Sequence, residues 1–163
     1  RPQPALEWAM RRLEVHAPQA TPICLVHGDF RTGNYMVEGN DLTGVLDWEF
    51  ADWSTADEDI GWLCARDWRF GAMDREAGGL APVEGLLTGY MQAGARTIDR
   101  SSLLYWRAMG SLRWAVIALL QVQRHLSGEQ PSLELALTGR MLPEIELNLL
   151  HEIETMQQER RHA

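Results

Sequence analysis

The segment VHGDFRTGNYMV, residues 26–37, places a histidine, an acid and an amide between two apolar runs. Asp29 and Asn34 are five residues apart, and Asp47 follows thirteen residues after Asn34. A carboxylate near a hydroxyl can orient it and accept its proton, while amide and carboxylate oxygens suit Mg²⁺. From these residue types alone, the segment could bind a metal, cleave a bond, transfer a phosphoryl group or form a polar turn.

Short strands are predicted to position these side chains. Apolar, β-branched runs predict strands at Ile23 to Val26, Tyr35 to Glu38 and Thr43 to Leu46, and the Gly-Asn-Asp sequence between the last two predicts a hairpin. The polar segment then lies in the loop between the first strand and the hairpin, and Asp47 ends the hairpin. Loops that close short strands can hold polar groups rigidly in a cleft.

The rest of the chain is predicted to be mainly helical. Apolar residues at helical spacing predict an entry helix from Ala5 to His16, bounded by Pro18. After Trp53 a helix is expected to begin at a Ser54 or Thr55 cap. Further helices are predicted at Pro82 to Ala95, Arg100 to Leu126 and Leu133 to Leu137, and from Leu142 to Met156 ahead of a fraying tail, QQERRHA. The expected fold class is mainly α with a small β-hairpin element.

Composition limits the class of partner. The 163 residues suit one domain, and acids outnumber bases 23 to 15, which excludes a nucleic-acid surface because phosphate binding needs clustered cations. The longest apolar run, WAVIALL, is far shorter than a membrane span, and the first residues do not form a signal peptide. Cys24 and Cys64 lack metal-ligand spacing and are predicted to be small buried thiols. We therefore expect a cytoplasmic protein with a small-molecule partner.

Together the polar residues match a known pattern. A histidine, an aspartate two residues on, an asparagine five residues after that and a later aspartate following a hairpin are the spacing of kinase catalytic loops. LVHGDFRTGNYMV followed by GVLDWEFADWSTADEDIGWL resembles the C-terminal lobe of the aminoglycoside phosphotransferase and choline kinase-like family, which has a protein-kinase-like fold. The segments CARDWRFG, RWAVIALLQVQRHLSG and LTGRMLPEIELNLL resemble more narrowly the acyl-CoA dehydrogenase-associated branch. The resemblance implies an ATP- or GTP-dependent phosphotransferase acting on a hydroxyl group of a small molecule.

The resemblance also implies roles for individual residues. Asp29 resembles the catalytic acid that orients the acceptor hydroxyl, while Asn34 and Asp47 resemble the residues that hold Mg²⁺ and, through it, the nucleotide. Asp47 begins a DWE sequence, so the Phe and Gly that move in regulated protein kinases are missing. Arg31 lies where a lysine faces the transferred phosphate in many kinases. It is therefore a candidate catalytic cation, with a solvated charge as the alternative.

Other residues are expected to support the loop. His27 resembles the histidine that packs behind the loop and hydrogen-bonds backbone, and Asp59 resembles the acid that braces the loop from the next helix. Glu49 is expected either near the metal or in a surface ion pair. Four tryptophans at helical spacing are predicted to be core residues, with the alternative that one of them lines the acceptor pocket: Trp62, Trp68, Trp106 and Trp114.

Two departures from the family pattern limit the prediction. Ser54, Thr55 and Ala56 replace the usual Gly-Asp-Pro turn before the bracing helix. The residues ahead of Asp29 are too few for a nucleotide-binding lobe and contain neither a Gly-rich loop nor a strand lysine. We therefore interpret residues 1–163 as a single domain, the catalytic and acceptor-binding lobe. Alone it is expected to be inactive, with the surface that the other lobe normally covers open to self-association.

Alternatives to catalysis remain at this stage. The lobe could be a non-catalytic scaffold that binds a small molecule or a protein. A metal-dependent hydrolase with His27 and Asp29 as ligands is a third interpretation, in which case a transition metal is expected. The acceptor itself could be an aminoglycoside, a hydroxy acid or a hydroxyacyl-CoA.

Overall fold

Helices dominate the fold. The computed structural model describes residues 2–19, 21–94 and 96–162. Its elements, in chain order, are α1 (Pro4–Val15), β1 (Ile23–Val26), β2 (Tyr35–Glu38), β3 (Asp41–Val45), a 3-10 turn (Trp48–Phe50), β4 (Asp52–Thr55), α2 (Ala56–Cys64), a second 3-10 turn (Arg66–Trp68), α3 (Val83–Gln92), α4 (Arg100–Leu126), α5 (Leu133–Arg140) and α6 (Leu142–His162). The predicted fold class, mainly α with a small β element, is confirmed.

The strands form two separate antiparallel pairs, β1 with β4 and β2 with β3. Both β1 and β2 have the predicted bounds, and the predicted hairpin is present. Its second strand begins at Asp41, two residues before the predicted Thr43. The reason is a two-residue turn, since Glu38 pairs directly with Asp41 across Gly39 and Asn40.

The strand β4 was not predicted. Its four residues pair with β1, so that Trp53 lies opposite Leu25. The polar residues of this segment had indicated a helix cap instead. Thr55 does occupy the N-cap position of α2, but its side chain makes no capping hydrogen bond, and Ser54 Oγ donates to Glu58 Oε2 at 2.5 Å. The predicted position of the helix cap is thus correct, but the capping hydrogen bond expected from its side chain is absent from the described structure.

The helices follow the predicted pattern closely. The bounds of α4 agree with the prediction and those of α1 differ by one residue. The helix α3 has Pro82 as its N-cap and ends at Gln92, earlier than the predicted end at Ala95, a residue outside the described part of the chain. The tail predicted to fray is instead helical, because α6 continues to His162. Polar contacts stabilise that last part: Glu159 forms a 3.2 Å ion pair with Arg100 of α4.

The main core lies where α1, α4 and α6 meet. Alanines with no exposed surface, Ala9, Ala108 and Ala115, allow the helices to approach closely, and Leu149 and Ile153 of α6 fill the space between them. A second close approach joins α2 to α4, because a Cβ on Gly61 would lie 2.4 Å from the Trp106 Cβ. Small residues therefore fix α4 as the element on which the other helices pack.

A buried ionic cluster ties α6 to the segment that follows α2. Glu152 has no exposed surface and lies 2.9 Å from the Arg107 guanidinium. Glu76 pairs with Arg107 at 2.9 Å and with Arg69 at 3.2 Å. Burial works against the charge of Arg107, but Glu152 and Glu76 outweigh it and raise the pKa of that guanidinium. We call Arg69, Glu76, Arg107 and Glu152 the ionic cluster.

By length and composition α4 would qualify as a membrane span. Half of its most apolar stretch, however, is buried against the rest of the protein. Core helices meet the same criteria, and the packing of α4 against α1, α2 and α6 is that of a core helix.

Candidate active site

The loop between β1 and β2 holds the predicted site residues. It begins at Gly28, whose φ of 78° lies in the left-handed region and whose missing Cβ would come within 2.2 Å of the Phe50 carbonyl oxygen. Only glycine fits a position that combines this dihedral with so close an approach. Gly28 therefore brings the loop directly against the 3-10 turn that follows Asp47.

The Asp29 carboxylate is buried and accepts hydrogen bonds from three side chains. Trp62 Nε1 donates to Oδ1 at 2.8 Å, Arg31 Nε donates to the same oxygen at 3.2 Å, and Asn34 Nδ2 donates to Oδ2 at 2.6 Å. The donors come from α2 and from the part of the loop that follows Asp29. With its orientation fixed in this way, the carboxylate can accept a hydrogen bond from a hydroxyl placed in the adjoining cleft.

His27 and Asp59 hold the loop from behind. His27 Nε2 donates to the Leu46 carbonyl at 2.7 Å, and Nδ1 accepts from the Asp29 backbone N–H at 3.1 Å. Asp59 accepts from the backbone N–H groups of His27 and Gly28 at 2.6 and 2.9 Å. Because both ring nitrogens of His27 are engaged, it is not available as a metal ligand in this structure, which argues against the hydrolase interpretation.

Asn34 and Asp47 provide oxygens suited to a hard cation. Asn34 uses its amide nitrogen on Asp29, which leaves its amide oxygen as the free end. The Asp47 carboxylate is exposed and makes no hydrogen bond or ion pair within the described part of the chain. The Asp47 backbone adopts a left-handed conformation with a φ of 65°. Among the described residues, no group of three or more His, Cys, Asp or Glu side chains is arranged to hold a metal ion. One amide and one carboxylate fit Mg²⁺, which takes its other ligands from water and phosphate.

A cleft of about 350 Å³ adjoins these groups. Its lining includes Asp29, Arg31, Asp47 and Glu49 from the β-rich part of the chain. The opposite wall consists of Arg113, Trp114, Ile117 and Gln121 of α4, with Phe50, Trp62 and Trp68 between the two. Asp29 and Asp47, predicted as catalytic and metal-binding, thus face one cleft. Asn34, His27 and Asp59 are not among its lining residues.

Three of the four predicted core tryptophans line this cleft. The rings of Trp62 and Trp68 are 5.1 Å apart, and those of Trp68 and Trp114 are 5.2 Å apart, so the three form a continuous aromatic wall. Trp106 lies outside it. Helical spacing had indicated core residues, and the wall is indeed packed on its inner side.

Arg113 was not singled out from the sequence. Its NH1 donates to the Gly28 carbonyl at 2.7 Å, and its guanidinium lies 4.9 Å from the Trp62 ring centroid and 5.7 Å from that of Phe50. A single arginine on a long helix gives no signal of such a role, because the contact spans 85 residues of sequence. Arg113 connects α4 to the loop that carries Asp29.

A larger cavity, of about 520 Å³, lies on the other side of the loop between β1, α2 and α3. Its lining is mostly apolar and includes Leu86 and Tyr90 of α3. Cys24 is half-buried at this cavity, whereas Cys64 is fully buried, and burial raises the pKa of the Cys64 thiol to about 12. Neither Asp29 nor Asp47 lines this cavity, so we assign the chemistry to the smaller cleft.

Comparisons with known proteins identify the family and the fold. A family model described as the phosphotransferase enzyme family matches residues 1–100. Among solved structures, a candidate aminoglycoside phosphotransferase from Ralstonia eutropha JMP134 superimposes with a TM-score of 0.78 at 24% identity, over 95% of this chain and 50% of that one. The chain therefore spans about half the length of that protein. No curated protein matches it.

Proposed function

Because the chain belongs to the phosphotransferase enzyme family, we propose that it forms the catalytic and acceptor-binding lobe of an ATP- or GTP-dependent enzyme that phosphorylates a hydroxyl group of a small molecule. One observation carries the proposal. The Asp29 carboxylate is held by three donors beside a cleft that the unpartnered Asp47 carboxylate also lines. A proton acceptor and a metal ligand facing the same space are what in-line phosphoryl transfer requires.

In this mechanism Asp29 orients the acceptor hydroxyl and accepts its proton as the oxygen bonds to the γ-phosphorus. The bond from that phosphorus to the bridging oxygen breaks, and ADP or GDP leaves. The Arg31 guanidinium, 3.2 Å from Asp29, is placed to stabilise negative charge on the group in transfer. Asn34 and Asp47 would hold Mg²⁺, which when bound neutralises charge on the nucleotide phosphates.

Nucleotide binding needs groups that these residues do not supply. All 15 basic residues are arginines, so the lysine that kinases use to hold the α- and β-phosphates is not among them. We therefore expect the 163 residues alone to show little or no turnover with ATP. Turnover at ordinary kinase rates by this chain would contradict that expectation.

The metal assignment gives a direct test of the proposal. In a version of the protein that carries a nucleotide-binding lobe, Asp47→Asn should raise the Mg²⁺ concentration for half-maximal phosphoryl transfer by about tenfold or more, since a carboxylate ligand becomes a neutral amide. Radiolabelled transfer from γ-labelled ATP measures this. Asp41→Asn is the matched control, because Asp41 is exposed on the same hairpin and does not line the cleft.

Two results would argue against the proposal. The first is an unchanged Mg²⁺ dependence in the Asp47→Asn variant. The second is the absence of any transfer from ATP or GTP to alcohols when the nucleotide-binding lobe is present and both nucleotides bind. The second result would favour a non-catalytic binding module on the same scaffold.

A further inference from the structure

The aromatic wall of the cleft is already covered by the protein's own cations. The Arg31 guanidinium lies 5.0 Å from the Trp68 ring centroid, and the Arg113 guanidinium lies 4.9 Å from that of Trp62. Rings that bind a substrate ammonium do so through the same face, at similar distances. Two of the three tryptophan rings therefore already stack with a guanidinium group of the protein, and an incoming cation would be repelled by these groups.

Arg113 has hydrogen-bond donors to spare. Within the described part of the chain its contacts with oxygen go through NH1, which donates to the Gly28 carbonyl at 2.7 Å and lies 3.7 Å from Glu58 Oε1. Its NH2 and Nε have no partner among the described residues, and about a third of the side chain is exposed. A guanidinium with two free donors beside a cleft is suited to bind a carboxylate or a phosphate.

Of the acids that line the cleft, none pairs with Arg113, whose one ion pair among the described residues, with Glu58 at 3.7 Å, offsets part of its charge. Asp29 is paired with Arg31 and accepts two further hydrogen bonds. Asp47 and Glu49 come from the 3-10 turn and the residue before it, where the proposed Mg²⁺ site lies. Among the charged residues that line the cleft, Arg113 is then the cation that is not hydrogen-bonded to a lining acid, and a divalent metal bound near Asp47 and Glu49 would offset the charge of those two acids.

Further along α4, the apolar side chains of Trp114 and Ile117 line the cleft between Arg113 and the polar Gln121. Arg113, Ile117 and Gln121 follow each other at four-residue spacing and share one face of the helix, with Trp114 beside them. A bound molecule would thus meet a cation near Asp29 and an apolar surface one turn away. The cleft volume of about 350 Å³ suits a small acceptor.

We propose that the acceptor is an anionic hydroxy compound whose carboxylate or phosphate binds Arg113 while its hydroxyl lies at Asp29 and its apolar part packs on Trp114 and Ile117. This proposal rests on the proposed function, because it assigns the substrate class of the same site. It predicts that a polycationic amino sugar is a poor acceptor for this chain.

A charge series on one skeleton tests the proposal. The probes are 4-(hydroxymethyl)benzoate, its neutral methyl ester, 4-(hydroxymethyl)benzylamine and 4-(hydroxymethyl)phenylphosphonate, titrated into the protein with saturating Mg²⁺ and without nucleotide by calorimetry or ligand-observed NMR. At least one anion should bind about tenfold or more tightly than the amine. Whichever anion binds better assigns the anionic group as carboxylate or phosphate. Equal or tighter binding of the amine would overturn the proposal without any variant.

Variants locate the preference at Arg113. Arg113→Met should weaken binding of the preferred anion by about tenfold to a hundredfold and leave the neutral ester nearly unchanged, whereas Arg113→Lys should retain part of the preference. A full anion preference in a folded Arg113→Met protein would overturn the assignment. Phosphoryl transfer is measured separately: transfer without charge preference refutes this inference alone, and charge preference without transfer refutes the proposed function.

Discussion

At the scale of single residues, the Asp29 carboxylate depends on donors from distant parts of the chain. Arg31 and Asn34 lie within five residues of it, but Trp62 reaches it across 33 residues of sequence. The indole N–H is the donor that ties the loop to α2. Its bond to a buried carboxylate is worth more than a surface hydrogen bond, because losing it leaves a charge under-solvated.

Replacing Trp62 by Phe should show this contribution. The change keeps an aromatic ring in the wall and removes the donor, so we expect a loss of about 1–3 kcal/mol in the free energy of unfolding, measured by urea denaturation. Transfer activity of the complete enzyme should fall as Asp29 loses its fixed orientation. Trp106→Phe is the matched control, since Trp106 does not line the cleft, and it should affect stability without a comparable loss of activity. Equal activity losses in both variants would contradict the role given to Trp62.

At this scale, a site residue could be predicted from the sequence only where its partners lie close to it along the chain. Asp29, Asn34 and Asp47 could be proposed as site residues because their spacing is fixed within one loop and one hairpin. Trp62 and Arg113 could not, because helical periodicity indicates burial of a tryptophan without saying what its N–H meets. Contacts across 33 and 85 residues depend on how α2 and α4 pack, which no local pattern specifies.

At the scale of elements, the loop is held at both ends. On one side β1 pairs with β4, and on the other the Asn34 carbonyl accepts from the Leu46 N–H at 2.8 Å as the hairpin closes. The strand β4 escaped prediction because its four residues resemble a helix cap and its pairing partner lies about thirty residues earlier. The hairpin was predictable because its turn chemistry is local.

Gly28 is the most demanding position of the loop. Gly28→Ala should destabilise the protein by several kcal/mol or prevent folding, because its Cβ would lie 2.2 Å from the Phe50 carbonyl oxygen at a left-handed φ. Gly39→Ala is the control: its φ is 61°, but a Cβ there meets nothing within 4 Å. We expect about 1–2 kcal/mol for that change, from dihedral strain alone. Similar melting temperatures for the two variants would contradict the claim that the close approach of Gly28 to Phe50 excludes a side chain at this position.

At the scale of the whole molecule, the ionic cluster couples the C-terminal helix to the cleft. Glu152 of α6 neutralises Arg107 of α4, and Glu76 links Arg107 to Arg69, which directly follows the 3-10 turn carrying Trp68. The position of the aromatic wall therefore depends on a helix that contributes no residue to the cleft lining. No local sequence pattern indicates this coupling, since Arg107 and Glu152 lie far along the chain from each other and from Arg69 and Glu76.

Removing Glu152 should be costly for that reason. Glu152→Ala removes the fully buried carboxylate of the cluster and leaves only the half-buried Glu76 to offset two buried guanidinium groups, so we expect a loss of about 3–5 kcal/mol in the free energy of unfolding. Glu159→Ala, on the same helix, breaks the exposed pair with Arg100 and should cost at most about 1 kcal/mol. Denaturant unfolding followed by circular dichroism measures both. A Glu152→Ala variant as stable as Glu159→Ala would contradict a structural role for the cluster.

The central claim is that Asp29 acts on the acceptor hydroxyl in phosphoryl transfer. Its most direct test is the rate of transfer from ATP by the complete protein and by its Asp29→Asn variant, with melting temperature as the check on folding. We predict a fall of about 10²–10⁴-fold in kcat for a variant whose fold is retained, as expected when a catalytic acid or base is removed. A folded Asp29→Asn protein that transfers phosphate within about twofold of the wild-type rate would contradict the claim.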